Sequence, residues 1–432
     1  MKKNYKQIVI SIVTSKHWLL FFVIFVLEFF LRFYQIAERN PFGWDQVDNA
    51  WAAKEIIVNH WYPLIGMVAK QNSGFYIGPL YYYVIAIVYF FTNLDPIASG
   101  IFAGISSILA FLGLFWVAKK LFSFEVALIA GFIYTVSSRQ IIFDRVQWPV
   151  NFIPIVSLLV FYFLYKVITG EKKHILTVSV LIGLAFQMHF TAIFFPIIVF
   201  LTLPFFPWAW STVGYLFGGI LILIASLIPN IIYELQTKHS ESSSMKTFGG
   251  SYYHGFHIRR VIQIIGDAFI QFQAYFTFDL FTIAKYFLVP IFFVVYLWKQ
   301  LANPKIKLCY LVLLWFIVPW FVFATYSGEI TDYYFASNRF IALLIIAYLL
   351  YRIFAINIFF KIIIIGVLLL YGFFNIQLYF QTKDTTLSDR EKEVKYKVKI
   401  SEPIQFTHGV PEPYIYYYYM RQKGVIVYDH NK

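Results

Sequence analysis

The sequence predicts an all-α polytopic membrane protein: a bundle of about 11 transmembrane helices, with helices lying along the outer face and a small extracytoplasmic C-terminal cap. Three observations predict it. The 432 residues are 60% hydrophobic and only 13% charged, more apolar surface than a soluble domain needs. Apolar runs long enough to cross a bilayer recur along most of the chain. The charge is also one-sided, as shown below.

The first run, His17–Ile36, follows Lys2, Lys3, Lys6 and Lys16 and leads into Glu38-Arg39-Asn40-Pro41 rather than a small-residue cleavage site. It reads as an uncleaved anchor. Glu28 and Arg32 within it lie four residues apart on one helical face and read as a structural pair inside the bundle. Further spans fall near 97–118, 124–139, 151–168, 175–189, 190–206, 212–233, 281–298, 308–326, 338–354 and 361–380. Gly78–Phe91 is apolar but too short to cross, and reads as an interfacial helix with Tyr81, Tyr82 and Tyr83 at headgroup depth.

With this layout the loops on the N-terminal side hold fourteen Lys and Arg against two acids, Glu125 and Glu171. The remaining 21 basic and 20 acidic residues nearly cancel. The net charge of +13 is therefore a positive-inside signal, with the N-terminus cytoplasmic and the C-terminus extracytoplasmic in the plasma membrane. A nucleic-acid partner, which such a charge suggests, has no support left. The elaborate loops then lie outside: about 37–96, 139–150, 234–280, 327–337 and the segment 381–432, distinct in composition from the membrane domain 1–380. The stretch 237–257 is polar and reads as a mobile loop. The single cysteine, Cys309, excludes an intrachain disulfide.

The candidate chemistry is on the outer side. Asp45 and Asp48 stand three apart between Trp44 and Trp51, soon after the first span. Ionised groups at a lipid boundary are costly unless used, which marks a functional pair; Asp45 as helix N-cap with Asp48 in the first turn is the structural alternative. Arg139, Asp144 and Arg145 resemble an anion site with its own counter-ion, or interfacial arginines beside a charge partner. His189, at the outer end of its span, is either a packing residue or a ligand of phosphate or metal. Lys70 lies in the first outer loop and Arg339 where a span enters the membrane, the latter being the stronger candidate. Glu329, Asp332, His254, His257, Arg259 and Arg260 have no decisive spacing. No Gly-rich phosphate loop, HExxH, CxxC or nucleophile elbow is present, so nucleotide-driven chemistry has no visible site.

The order of these motifs resembles that of GT-C membrane glycosyltransferases, the superfamily of protein O-mannosyltransferases and the lipid A aminoarabinose transferase. The resemblance rests on Leu31-Arg32-Phe33-Tyr34, Trp44-Asp45-Gln46-Val47-Asp48-Asn49-Ala50, Gly78-Pro79-Leu80-Tyr81-Tyr82-Tyr83, Ala118-Lys119-Lys120-Leu121-Phe122, the Arg139 to Asn151 segment, Gly183 to Thr191 and Ser337-Asn338-Arg339-Phe340. It covers roughly residues 20–350. It implies a GT-C-type bundle that moves a sugar from a polyprenyl-phosphate-linked donor to an acceptor (protein, lipid glycan or cell-envelope polymer) on the non-cytoplasmic face, with inversion. It implies Asp45 as catalytic base; whether Asp48 supplies the second carboxylate, orienting the acceptor or holding a divalent cation, is left open by Gln46. Lys70, Arg139, Arg145, His189 and Arg339 become the cations for the donor phosphate. Two departures stand out: Gln46 replaces the usual glutamate, and His189 lies in a stretch that usually carries a basic residue, often lysine. The alternative from another class is a transporter or flippase of lipid-linked sugars, which should place charged residues deep in several spans.

Overall fold

The computed structural model describes residues 2–70, 73–253, 255–256, 258–260, 264, 275, 306–382, 384–399 and 411–423. The span expected at 281–298, His254, His257, and the tail stretches 400–410 and 424–432 lie outside the described residues. The helices are α1 (Lys2–Phe33), α2 (Ile36–Arg39), α3 (Trp44–Val58), α4 (Leu80–Phe91), α5 (Ala98–Leu121), α6 (Phe124–Val136), α7 (Ser138–Arg145), α8 (Ile153–Ile168), α9 (His174–Phe186), α10 (Phe194–Thr202), α11 (Trp210–Gln236) and α12 (Ser240–Tyr252). After the segment not described come α13 (Ile306–Ala324), α14 (Arg339–Phe354), α15 (Ile358–Gln381), α16 (Leu387–Lys399) and α17 (Pro411–Gln422). Among the described residues, strand pairing is limited to isolated bridges, Pro41–Thr386, Val68–Tyr76 and Tyr253–Tyr326.

Six of these helical segments are long and apolar enough to cross a membrane: α5, 149–168, α11, α13, 332–354 and α15. The predicted span 124–139 is broken. α6 ends at Val136 and α7 leaves it at 69°, so the pair forms one bent crossing or a re-entrant turn. The break releases carbonyls at the end of α6, and Arg32 collects two of them, Thr135 O at 2.8 Å and Tyr134 O at 3.2 Å. Ser137 then caps α7, its Oγ accepting from Gln140 N. A second break, at residues 187–189, separates α9 from the 3-10 turn Phe190–Ile193. The short apolar helices α4 and α9 and the stretch 190–205 complete the bundle among the described residues.

The core runs through α5, α6, α8, α13 and α14. Trp315 is fully buried there, its indole N–H donating to Ser157 Oγ at 2.8 Å, and that hydroxyl donates to Ser337 O at 2.6 Å. α11 and α15 lie at the periphery, with Phe217, Leu221, Ile362 and Leu369 exposed as lipid-facing residues are. At one end of the bundle the turns are short: Lys307 Nζ donates to Ile168 O, and Phe122 packs on Tyr348. At the other end gather the long loops, α2–α4, α12 and the C-terminal helices. α16 and α17 pack on α2 and α3: Leu387 N donates to Asn40 O at 3.0 Å, and Tyr414 sits among Phe42, Trp51 and Tyr89 with its hydroxyl on Leu94 O.

Candidate active site

The acidic pair begins α3. The residue at the N-cap is Gly43, in extended backbone, which has no side chain with which to cap. Gln46 does the work instead, its Oε1 accepting from Gly43 N at 2.9 Å. Asp45 is therefore not the N-cap. Asp45 sits in the first turn, where the helix dipole favours a negative charge. Burial nevertheless pushes its carboxyl above the usual range. Val47, Ala50, Trp51 and Ala53 turn the rest of α3 into the core, while Asn49 Nδ2 donates to Asp45 O at 2.5 Å and approaches Met67 Sδ. Asp48 is half-buried, and Tyr82 at the start of α4 lies within electrostatic reach of both carboxylates.

Met67 leads into the turn that carries Lys70. Gly66 N donates to Ile77 O and Ile77 N to Met67 O, with Gly74 at φ +71 allowing the reversal. Lys70 Nζ donates to the Tyr326 hydroxyl and lies over the Tyr326, Tyr252 and Tyr334 rings at 4.8, 5.6 and 5.8 Å. Its ammonium borders an apolar cavity of about 470 Å³ lined by Phe75, Ile77, Phe186, Phe190, Leu227 and Phe323. Glu241 from α12 also lines it, accepting from Tyr76 N at 2.9 Å, and burial raises its carboxyl. A cation at the edge of an apolar cavity is suited to a phosphate head on an apolar chain.

The other predicted cations have different surroundings. Arg145 is 2% exposed and turned to the end of α1: it donates to Leu31 O at 2.9 Å, Tyr34 O at 3.0 Å, Gln35 O at 3.2 Å and Asn40 Oδ1 at 2.5 Å. It caps that helix C-terminus and has its charge spent on carbonyls, so it is not presented as a phosphate ligand. Asp144 is not its counter-ion. It pairs with Arg32 at 2.9 Å and accepts from Gln140 Nε2 at 2.7 Å, joining the buried Glu28–Arg32 pair, itself 3.2 Å apart. Arg139 is exposed, so the anion cluster suggested by the spacing does not assemble. Arg339 is buried with its guanidinium 3.7 Å over the Phe143 ring. His189 caps the 3-10 turn, its Nδ1 accepting from Thr191 N, and its ring rests near Phe190, Tyr333 and Tyr334.

These pieces form one circuit. Asp45 connects through Asn49 to Met67, whose turn carries Lys70; Tyr334, under Lys70, touches His189 and Tyr333; Tyr333 packs on Trp148 at 5.0 Å; and Gln147 beside it receives a hydrogen bond from Gln46. The sequence reading missed Tyr326, Tyr334 and Gln147. Tyr326 and Tyr334 follow a span and flank Glu329, the aromatic-plus-charge signature of an interfacial loop. No group of three or more His, Cys, Asp or Glu able to hold a metal occurs among the described residues.

No family model matches the sequence, and no curated protein matches it. Solved structures do. The chain has the same overall fold as two membrane proteins of known structure. ArnT from Cupriavidus metallidurans, bound to undecaprenyl phosphate, is 11% identical with a TM-score of 0.62, covering 93% of this chain and 85% of its own. The archaeal oligosaccharyltransferase AglB from Archaeoglobus fulgidus, in complex with an inhibitory peptide and a dolichol-phosphate, is 11% identical with a TM-score of 0.55. That match covers 89% of this chain but 58% of AglB. At such identities the likeness is one of fold.

Proposed function

We propose that this protein is a membrane glycosyltransferase that moves a sugar from a polyprenyl-phosphate-linked donor to an acceptor hydroxyl on the non-cytoplasmic face. The observation that carries the reading is the pairing of a half-buried carboxylate, Asp45, with an apolar cavity bordered by Lys70 in the same circuit of contacts. The fold is that of ArnT and AglB, whose structures hold undecaprenyl phosphate and dolichol-phosphate. In this reading the prenyl chain occupies the cavity and Lys70 faces the phosphate. Asp45 takes the acceptor proton as the acceptor oxygen bonds to the anomeric carbon, and the bond from that carbon to the phosphate oxygen breaks. The departing phosphate gains negative charge, which the ammonium stabilises. A raised pKa makes Asp45 a stronger base than an ordinary carboxylate. Attack opposite the leaving group inverts the anomeric carbon, as in the family the sequence resembles. Asp48, three residues along α3, orients the acceptor.

The test is transfer of labelled sugar from synthetic polyprenyl-phosphate hexose and pentose donors by the purified protein in proteoliposomes. Transfer that Asp45→Asn abolishes supports the reading. Movement of donor between leaflets with no covalent transfer would replace it with the flippase alternative.

A further inference from the structure

Gln46 stands beside the proposed base, where the family resembled carries a glutamate. Its amide orientation is fixed by the backbone on either side. Gly43 N–H can only donate, and it meets Oε1 at 2.9 Å; Gln147 C=O can only accept, and it meets Nε2 at 2.7 Å. Gln147 carries the connection further, its own Nε2 donating to the Tyr81 hydroxyl at 2.6 Å. Tyr81 is anchored edge-on against Phe102 and Phe152, and lies within electrostatic reach of Asp45. Gln46 and Gln147 are 4% and 1% exposed, so neither amide competes with water.

We propose that Gln46 is a positioning residue whose amide latches the first turn of α3 to the 146–148 loop and, through Gln147, to Tyr81, fixing where the Asp45 carboxylate points. The proposal rests on the reading of Asp45 as base. Both ends of the Gln46 amide are engaged by the backbone of the protein and the side chain is buried, which fits a role in positioning. The latch also accounts for the residue type. An ionised glutamate can accept from Gly43 N but has nothing to donate to Gln147 O, and would bring two acceptors together in a buried site. A protonated glutamic acid can do both.

The experiment uses the full chain in detergent and in proteoliposomes, with Gln46→Glu and Gln46→Leu, reading kcat, KM and thermal unfolding across pH. The charged and titratable neighbours, Asp45 and Asp48 on α3, Tyr81 and Tyr82 on α4, and Arg145 ahead of the 146–148 loop, are the same in every version, so the gap from wild type isolates position 46. At about pH 8 both variants lose roughly 10- to 100-fold in kcat with KM unchanged, because the base is displaced and not the substrate. The gap in unfolding temperature for Gln46→Glu closes as acid protonates the introduced carboxyl, whereas that for Gln46→Leu stays open. A wild-type kcat in Gln46→Glu, a loss confined to KM, or an unfolding gap that ignores pH would overturn the latch. Absence of transfer in wild type would sink the glycosyltransferase reading alone, since the pH-dependent unfolding gap decides the latch without turnover.

Discussion

Replacing Asp45 with asparagine removes one proton acceptor while keeping the size and most of the hydrogen bonding of the side chain. A positioned general base contributes typically about 10²- to 10⁴-fold, so Asp45→Asn should lower kcat by that factor with donor KM little changed. The structure adds two quantities that a simple activity loss does not. Burial holds the Asp45 carboxyl above its usual range, so the acid limb of kcat/KM in wild type should lie above the ordinary aspartate pKa of about 4. The same burial has a stability consequence. A carboxyl whose folded pKa exceeds its unfolded one contributes stability below the unfolded pKa, and that stability is lost as pH rises through the folded value. Asp45→Asn removes the loss. The variant should therefore unfold at a higher temperature than wild type at neutral pH, with the advantage shrinking in acid. Labelled-sugar transfer and thermal unfolding, both followed across pH, measure the two effects on one preparation. Activity retained in Asp45→Asn, or a variant less stable than wild type at neutral pH, would refute the assignment of a desolvated base.

Arg145→Ala should lower stability by about 3–5 kcal/mol by stranding the carbonyls of Leu31, Tyr34 and Gln35, with donor KM unchanged in the surviving folded fraction. A raised donor KM with wild-type unfolding would return Arg145 to the phosphate site. Lys70→Met keeps the stem and removes the ammonium at the cavity edge; loss of one charged hydrogen bond of about 2–3 kcal/mol predicts roughly a 30- to 150-fold fall in kcat/KM in the transfer assay. Arg32→Met leaves Glu28 and Asp144 buried without their partner and should cost about 3–5 kcal/mol, seen as a lowered unfolding temperature.

The helices were legible because a bilayer imposes length and apolarity, which a linear sequence records directly. Loop chemistry was less so. Arg139, Asp144 and Arg145 fall within seven residues, but on a helix a step of six turns Arg145 by about 600° from Arg139, onto a different face. Asp144 finds its partner in Arg32, 112 residues earlier, a distance no local spacing can report. The break after Val136 was hidden for a related reason: the apolar run continues up to Ser137-Ser138, and what stabilises the exposed carbonyls there comes from α1. Asp45 was legible as a candidate because acids are rare in such a chain. Its freedom from capping was not, since that depends on Gly43 lacking a side chain and Gln46 supplying the bond.

The buried charges also bear on the choice between transferase and transporter. A transport path or proton relay through the bundle needs ionisable groups whose partners can be exchanged during the cycle. The described mid-bundle cluster is arranged for the opposite. Arg32 bonds Ser107 Oγ at 3.1 Å, two carbonyls of α6, Asp144 and Glu28, while Ser107 Oγ also donates to Glu28 Oε1 at 2.8 Å. Moving α1 against α5, α6 or α7 would break several of these bonds at once, in a setting with no water to replace them. The cluster is a clamp: it fixes the bend between α6 and α7, and α7 leads into the loop that carries Gln147. The same holds on the opposite side of α3, where Tyr414 fills the space between Phe42, Trp51 and Tyr89. A helix braced from both sides presents its first-turn carboxylate in a fixed direction, which suits a base that must meet a hydroxyl at a defined angle and gives nothing to a protein that works by rocking.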